Sequence, residues 1–80
     1  MFFVYILKSD SLNKYYVGHT DDIDKRISEH NSKRKHWTSN ANDWCLFYKE
    51  EFESRSEAMK RERYIKSFKN IKKFLEFINK

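Results

Sequence analysis

The sequence predicts a small α+β fold, in which a three-stranded sheet made of a β-hairpin and a third strand is flanked by about three helices. Three observations predict it. An unbroken apolar segment opens the chain, a second segment with strand character follows a polar turn, and the last third carries a helix-capping signal and a helical apolar stripe. A chain of 80 residues is expected to make one domain, 1–80, with a single modest core.

Strand signals begin at once. Residues 2–7 are β-branched and aromatic without alternation, which is typical of a strand covered on both faces at the centre of a sheet. The polar cluster at 9–14 predicts a loop, and strand character resumes at 15–18. The two runs are therefore expected to form an antiparallel hairpin.

The middle of the chain predicts a helix, a loop and a third strand. Thr20 or Asp21 is a candidate cap for a helix that begins near Asp22 and ends near Asn31, with acidic residues favourably placed at its first turn. Residues 32–43 are polar and without periodicity, which indicates a loop. The segment 44–52 has strand character.

Two further helices close the chain. Ser54 and Glu57 have the spacing of a capping box, which predicts a helix over roughly 54–68. After it, apolar residues recur at the spacing of an amphipathic helix, at Ile71, Phe74, Leu75 and Ile78.

Composition narrows the class of protein. The chain has 17 Lys and Arg against 12 Asp and Glu, a net charge of +5, and 18% aromatic residues. This is too rich in core-forming side chains for disorder, and the basic excess favours an anionic partner such as nucleic acid. The single cysteine, Cys45, is expected to be a small core residue, and no apolar run approaches the about 18 residues of a membrane span. We expect a cytoplasmic protein that does not enter a membrane.

Tyr5 and Tyr16 are the first candidates for chemistry. Tyr5 lies inside the apolar strand and Tyr16 on its hairpin partner. A hairpin centred near residues 10–11 places them opposite or diagonal to each other, so that two phenols share one face of the sheet. Tyrosine is common in strands, so two core tyrosines whose hydroxyls reach solvent are the alternative that the pattern alone allows.

Arg26 and His30 are four residues apart and project from one face of the predicted helix. An arginine can hold a phosphate through two hydrogen bonds, and a histidine can receive or position a proton. A surface pair without a ligand is the alternative. Gly18, the only glycine, lies between the second strand and this helix, where it permits a close approach of another element or simply serves a turn.

Glu62 is the most informative single residue. On the helix that follows the capping box, Ala58, Met59 and Ile65 define an inward stripe, and Glu62 falls in its middle. A carboxylate on the core side needs a partner, which is either a metal or a cation of the protein. Lys66, one turn further on, is the protein cation within reach, so an ordinary ion pair is the alternative to a metal site.

Basic residues dominate the chain from Arg55 to Lys73, with eight Lys or Arg against two Glu. With the basic loop they form a candidate surface for tracking phosphates, whose binding weakens with salt; a solvated helix face is the alternative. We expect nucleic acid to contact Gly18, Lys33, Arg34, Lys35, Lys66 and Lys69.

These residues together resemble a known pattern. Val4-Tyr5-Ile6 and Tyr16-Val17-Gly18, followed by Arg26, His30-Asn31 and Glu62, resemble the GIY-YIG nuclease superfamily in its small standalone form, similar to the UvrC N-terminal domain. The resemblance extends over residues 2–74. It implies a small mixed sheet with flanking helices, which agrees with the elements predicted above.

The resemblance also implies metal-dependent hydrolysis of DNA, with a catalytic set of Tyr5, Tyr16, Arg26, His30 and Glu62. It gives Glu62 a single divalent cation, Mg²⁺ or Mn²⁺, and gives Arg26 the scissile phosphate. The tyrosines position or activate the attacking water, with Tyr5 favoured as general base, and His30 assists proton transfer. A tyrosine base needs positive charge nearby, because a free phenol has a pKa of about 10.

Two departures from the family pattern bear on function. Val4 replaces the first glycine, as in many members, and Phe74 stands where many of these nucleases have an asparagine. We expect no second domain for choosing a sequence, and therefore low intrinsic specificity for DNA, branched or single-stranded, and a targeting partner protein. A weakly active or inactive nucleic-acid-binding module on the same fold is the alternative, and an interaction protein without nucleic acid is a third hypothesis.

Overall fold

The computed structural model describes residues 1–31 and 43–78. The elements follow in the order strand, strand, helix, strand, helix, helix, as the sequence predicts. They are β1 (Phe2–Ser9), β2 (Lys14–Thr20), α1 (Ile23–His30), β3 (Cys45–Phe52), α2 (Arg55–Lys66) and α3 (Ile71–Ile78). The α+β class with three strands and three helices is thereby confirmed.

The sheet has the order β2-β1-β3, and both neighbours of β1 run antiparallel to it. The sheet is therefore antiparallel throughout and not mixed. A parallel pair would require β2 and β3 to be neighbours, and β1 lies between them. In the hairpin register Tyr5 pairs with Gly18 and Leu7 with Tyr16, so the two tyrosines are diagonal neighbours, the second of the two predicted arrangements.

The central strand is buried on both faces, as its unbroken apolar sequence predicts. Val4 and Ile6 are fully buried beneath α2 and α3, in a core that includes Ile65 and Phe74. Tyr5 and Leu7 point to the other face, where Trp44 and the partly buried Ile23 and Ile27 of α1 cover them. The sheet thus separates two apolar layers, and α1 and α2 lie on opposite sides of it.

The N-terminal cap of α2 is the predicted residue, whereas the cap of α1 is not. Ser54 caps α2, since its side chain accepts a hydrogen bond from the backbone N–H of Glu57. The cap of α1 is Asp22, which accepts from Lys25 N–H, and not Thr20 or Asp21. Thr20 still belongs to β2, and its hydroxyl accepts from the N–H of Asp22 instead.

Cys45 is exposed, so the expectation of a core cysteine is wrong. The residue opens β3, an edge strand whose first three residues are all exposed, close to an irregularity in the β1–β3 register between Ile6 and Leu7. The neighbouring Trp44 supplies the buried side chain at this end of the strand.

Candidate functional site

A polar cleft of about 230 Å³ lies at the end of β2. This strand is at the edge of the sheet and pairs with β1. It collects side chains from both faces of the sheet, because α1 borders it on one side and α2 on the other. Its lining residues are Tyr5, Tyr16, Gly18, His19, Arg26, Arg55 and Glu62. Five of these seven are residues that the sequence singles out.

The hairpin register places the two tyrosines around Gly18. The rings of Tyr5 and Tyr16 are 6.2 Å apart between centroids and tilted by 37°. A Cβ atom on Gly18 would lie 2.6 Å from the Tyr5 hydroxyl and 3.1 Å from Tyr16 Cε2. Glycine is therefore required because the Tyr5 phenol crosses directly over this position of the neighbouring strand. A turn conformation is not the reason, since Gly18 has no positive φ.

His30 lies behind the tyrosines and does not line the cleft. It is 7% exposed, its Nε2 is 3.4 Å from the Tyr5 hydroxyl, and its ring centroid is 4.5 Å from that of Tyr16. Burial lowers the pKa of His30, and the positive charge of Arg26 lowers it further. His30 is consequently neutral near pH 7. Because it is buried behind Tyr5 and Tyr16, it can affect a substrate only through these two side chains.

Burial acts on Tyr5 in the opposite sense. Tyr5 is 2% exposed, and burial raises the pKa of its phenol far above the usual value of about 10. The neighbouring Tyr16 raises this pKa as well, while Arg26 opposes the rise. Tyr5 therefore remains protonated at neutral pH, with its hydroxyl at the inner wall of the cleft.

Glu62 faces the cleft from α2 with its side chain 18% exposed. One carboxylate oxygen is 2.5 Å from His19 Nδ1, and the other accepts a hydrogen bond from Lys66 Nζ at 2.6 Å. Burial alone would raise the pKa of Glu62, but the bonds from Lys66 and His19 outweigh it and hold this pKa below its usual value. Glu62 is thus an ionised carboxylate at the floor of the site, and the ion pair with Lys66 predicted as an alternative is present.

Two arginines border the same cleft. Arg26 projects from α1 with its side chain 46% exposed and is 3.6 Å from the Glu29 carboxylate. Arg55, the first residue of α2, lies with its guanidinium 5.0 Å from the centroid of the Phe2 ring. Because they come from opposite sides of the sheet, the two guanidinium groups can face one anion from two directions.

The predicted nucleic-acid contacts fall in different places. Lys66 and Lys69 line a second concavity along β2, next to the cleft. Lys33, Arg34 and Lys35 lie outside the described residues.

Two residues of the cleft, His19 and Arg55, and one residue that supports α1, Asn31, have contacts that were not predicted from the sequence. His19 follows Gly18 on β2, and its partner Glu62 is 43 residues further on, so only the packing of α2 against β2 brings them together. In the sequence Arg55 is one of eight basic residues between Arg55 and Lys73, and nothing but its position after the capping Ser54, at the start of α2, distinguishes it from the others. Asn31 joins α1 to β3, because its amide bonds both to the N–H of Trp44 at 2.8 Å and to its carbonyl at 3.0 Å.

The donor set of the cleft suits a hard divalent cation. Within 1–31 and 43–78, no three His, Cys, Asp or Glu side chains gather into a site that holds a metal by themselves. Mg²⁺ does not need such a cage, since it is commonly bound by one or two carboxylates together with waters and substrate phosphate. The Glu62 carboxylate has about four lone-pair directions and uses two of them here. Glu62 can therefore hold a divalent cation at the cleft.

The fold and this cleft define a class of small α+β proteins in which tyrosines, arginines and one glutamate meet at the edge of an antiparallel sheet. The chain belongs to the GIY-YIG catalytic domain family, whose match extends over residues 1–74. Across the described segments, none of the helices has the length and apolar character to cross a membrane.

The chain is similar to small proteins of comparable length. It is 40% identical over 72 residues to the UPF0213 protein SH2523 of Staphylococcus haemolyticus, covering 89% of this chain and 87% of that protein. It is 35% identical over 74 residues to the UPF0213 protein VNG_2274C of Halobacterium salinarum, covering 91% and 95% respectively. Its fold is similar to the solution NMR structure of the UPF0213 protein BH0048 from Bacillus halodurans, with a TM-score of 0.58, 33% identity and coverage of 100% of this chain and 86% of that one.

Proposed function

We propose that this protein is a metal-dependent endonuclease that hydrolyses phosphodiester bonds of DNA. The observation that carries the proposal is the convergence of Tyr5, Tyr16, Arg26 and Glu62 on one polar cleft, although they come from four different elements. Membership of a family of catalytic domains supports it.

Arg26 and Arg55 are the groups that bind the scissile phosphate. A guanidinium presents two parallel N–H donors to phosphate oxygens and remains charged at any physiological pH. Arg26 is available for this task because its side chain is half exposed and its contact with Glu29 is long, at 3.6 Å. Both arginines then neutralise charge that develops on the phosphoryl oxygens in the transition state.

Tyr16 is the phenol that we place next to the attacking water. It is partly exposed and lines the cleft, whereas Tyr5 is buried and its burial raises the pKa of its phenol, so that a phenolate at Tyr5 costs more to form. This argues against the expectation of Tyr5 as general base and gives Tyr5 a positioning role. Its hydroxyl is held by His30 Nε2, and its ring packs against the ring of Tyr16. His30 acts through Tyr5 in the same way.

Glu62 is the residue that would hold the divalent cation, Mg²⁺ or Mn²⁺. Bound there, such a cation supplies Lewis-acid stabilisation of negative charge on the phosphate. His19 orients the carboxylate through its bond to Oε1, and Lys66 provides a second positive charge at Oε2. The basic side chains that border the cleft are the groups that would contact a DNA partner, and a separate targeting protein is part of the proposal.

A nucleic-acid-binding module with little or no cleavage is the second candidate. The observation in its favour is that His19 and Lys66 already satisfy both oxygens of Glu62, so that a cation has to share this carboxylate with protein donors. The same basic cleft then binds phosphate without hydrolysing it.

Nuclease assays separate the two candidates. Labelled single-stranded, duplex and branched DNA is incubated with the protein and Mg²⁺ or Mn²⁺, and then with EDTA. The nuclease proposal predicts nicking that requires the cation and falls by about 10²-fold or more in Arg26→Ala and Glu62→Ala. The matched controls are Lys25→Ala on α1 and Glu53→Ala before α2, which are exposed and do not line the cleft.

Each outcome has a defined meaning. Cleavage that persists in Glu62→Ala would exclude the proposed site. Salt-sensitive binding of DNA without any nicking, in the presence of either cation, would favour the binding module.

A further inference from the structure

We propose that a single strand of DNA lies along the outer edge of β2, in a groove that continues from the cleft to the turn between α2 and α3. The inference rests on the proposed function, because the strand enters from the cleft that binds the scissile phosphate. It extends that function by naming the path and the form of the nucleic acid.

The groove consists of four concavities that share their walls. His19 and Glu62 line both the cleft and a neighbouring concavity of about 200 Å³. Lys66 connects this one to a third of about 270 Å³, and Tyr15 and Asn70 connect the third to a fourth of about 440 Å³. Every residue of β2 from Lys14 to His19 lines at least one of them, so the groove follows the strand along its length.

The charge of the groove fits a polyanion. Of the described residues that line the four concavities, seven are Lys or Arg and only Glu62 is acidic. Beyond Arg26 and Arg55 in the cleft, the basic side chains are those of Lys14, Arg63, Lys66, Lys69 and Lys72. They are spread along the path and not gathered at one point, which is the arrangement needed to contact successive phosphates.

The shape of the path favours a single strand over a duplex. The cleft reaches the α1 side of the sheet through Tyr5 and Tyr16, whereas the remaining concavities lie on the α2 and α3 side, so the path turns around the sheet edge. The longest dimension of the molecule is 31 Å. Duplex DNA has a persistence length of about 50 nm and bends over such distances only at a substantial free-energy cost, whereas a single strand follows the turn freely.

Binding is tested by fluorescence anisotropy with labelled oligothymidylates of increasing length, in EDTA and over a series of salt concentrations. The groove predicts that affinity rises with length until the strand spans the path. The double variant Lys69→Gln/Lys72→Gln removes two charges from the groove. The matched control Lys60→Gln/Lys73→Gln removes two charges from α2 and α3 at positions that do not line the groove, whereas Lys69 lies in the turn between these helices and Lys72 on α3.

The expected result is a difference in salt dependence. The slope of log K against log salt becomes shallower by about 1.4 in the groove variant, since each phosphate contact with a single strand contributes about 0.7, and the control keeps the wild-type slope. Equal losses in the two variants would overturn the groove, and equal affinity for a duplex of the same length would overturn the choice of a single strand.

Failure of the groove and failure of the nuclease are distinguishable. The binding assay contains EDTA, so it does not depend on hydrolysis, and cleavage is measured separately with Mg²⁺. If the two double variants have the same salt slope but cleavage remains intact and depends on Glu62, only the proposed path of the strand is overturned. If the groove binds DNA as predicted but no cleavage occurs, only the nuclease proposal is overturned.

Discussion

Replacing Gly18 with alanine places a methyl group against the buried ring of Tyr5. The new Cβ would be 2.6 Å from the Tyr5 hydroxyl oxygen and 2.9 Å from Cζ, whereas ordinary non-bonded contacts are about 3.5–4.0 Å. The ring therefore has to shift by roughly half an ångström or more. It has little freedom to do so, because Tyr5 is 2% exposed and packs against Tyr16 and His30.

The magnitude follows from two opposing effects. Overpacking a core costs typically about 1–3 kcal/mol, whereas alanine in place of glycine within a strand returns about 0.5–1 kcal/mol of backbone entropy. We expect Gly18→Ala to lower the free energy of unfolding by about 1–2 kcal/mol. In a domain of this size that corresponds to a fall in Tm of roughly 4–16 °C.

The assay is chemical and thermal unfolding of four proteins: wild type, Gly18→Ala, Tyr5→Phe and the double variant. Tyr5→Phe removes the hydroxyl oxygen, which is the atom nearest to the new methyl group. Gly18→Ala should therefore cost less in the Tyr5→Phe background, by at least about 0.5 kcal/mol. A Gly18→Ala protein as stable as wild type, or strictly additive effects in the double variant, would refute the explanation of this glycine.

Two other substitutions test the surroundings of the site. Asn31→Ala removes both bonds to the Trp44 backbone and should lower the free energy of unfolding by about 1–3 kcal/mol, as measured by urea unfolding. His30→Gln should flatten the dependence of stability on pH between about 7 and 5. Burial and the charge of Arg26 lower the pKa of His30 in the folded protein, so the unfolded chain, with a histidine pKa of about 6.5, binds more protons as the pH falls and wild-type stability declines over this range.

The control for Asn31→Ala lies on the helix that precedes it. Ser28→Ala on α1 is exposed and should leave the free energy of unfolding within about 0.5 kcal/mol of wild type. For His30 the readout is the slope against pH and not the absolute stability, because the variant also loses the contact with Tyr5. A slope equal to that of wild type would mean that His30 is not the group that titrates.

Part of the site could be predicted because its residues are close in sequence or have a strict register. A hairpin between two strand-like runs places Tyr5 near Tyr16 for any reasonable centre of the turn, and helical periodicity alone puts Arg26 and His30 on one face. Glu62 could be identified because it is an acidic residue on an otherwise apolar stripe of the predicted helix. Its local partner Lys66 follows from the spacing of one helical turn.

The remainder depends on contacts that no local pattern contains. His30 was predicted to share one helix face with Arg26, but the packing of α1 and Trp44 buries it behind Tyr5. Tyr5 was predicted as the favoured base, and its burial in the second apolar layer, which raises the pKa of its phenol, is the reason for which we propose Tyr16 instead. Met59 was expected to face inward beside Ala58, but it is 40% exposed, because α2 is turned so that Ala58 and Ile65 face the core.

The amino-acid sequence by itself determined the six elements, the central position of β1, the cap at Ser54 and the residues that mark the family, because each depends on propensity, periodicity or spacing within about one element. The tertiary structure decided which groups meet. The pairing of His19 with Glu62, the presence of Arg55 at the same cleft as Arg26 and the concavity along β2 all depend on where α2 packs against the edge of the sheet. That position is set by burial of the apolar face shared by Val4, Ile65 and Phe74, a cooperative result of the whole core that no short segment encodes.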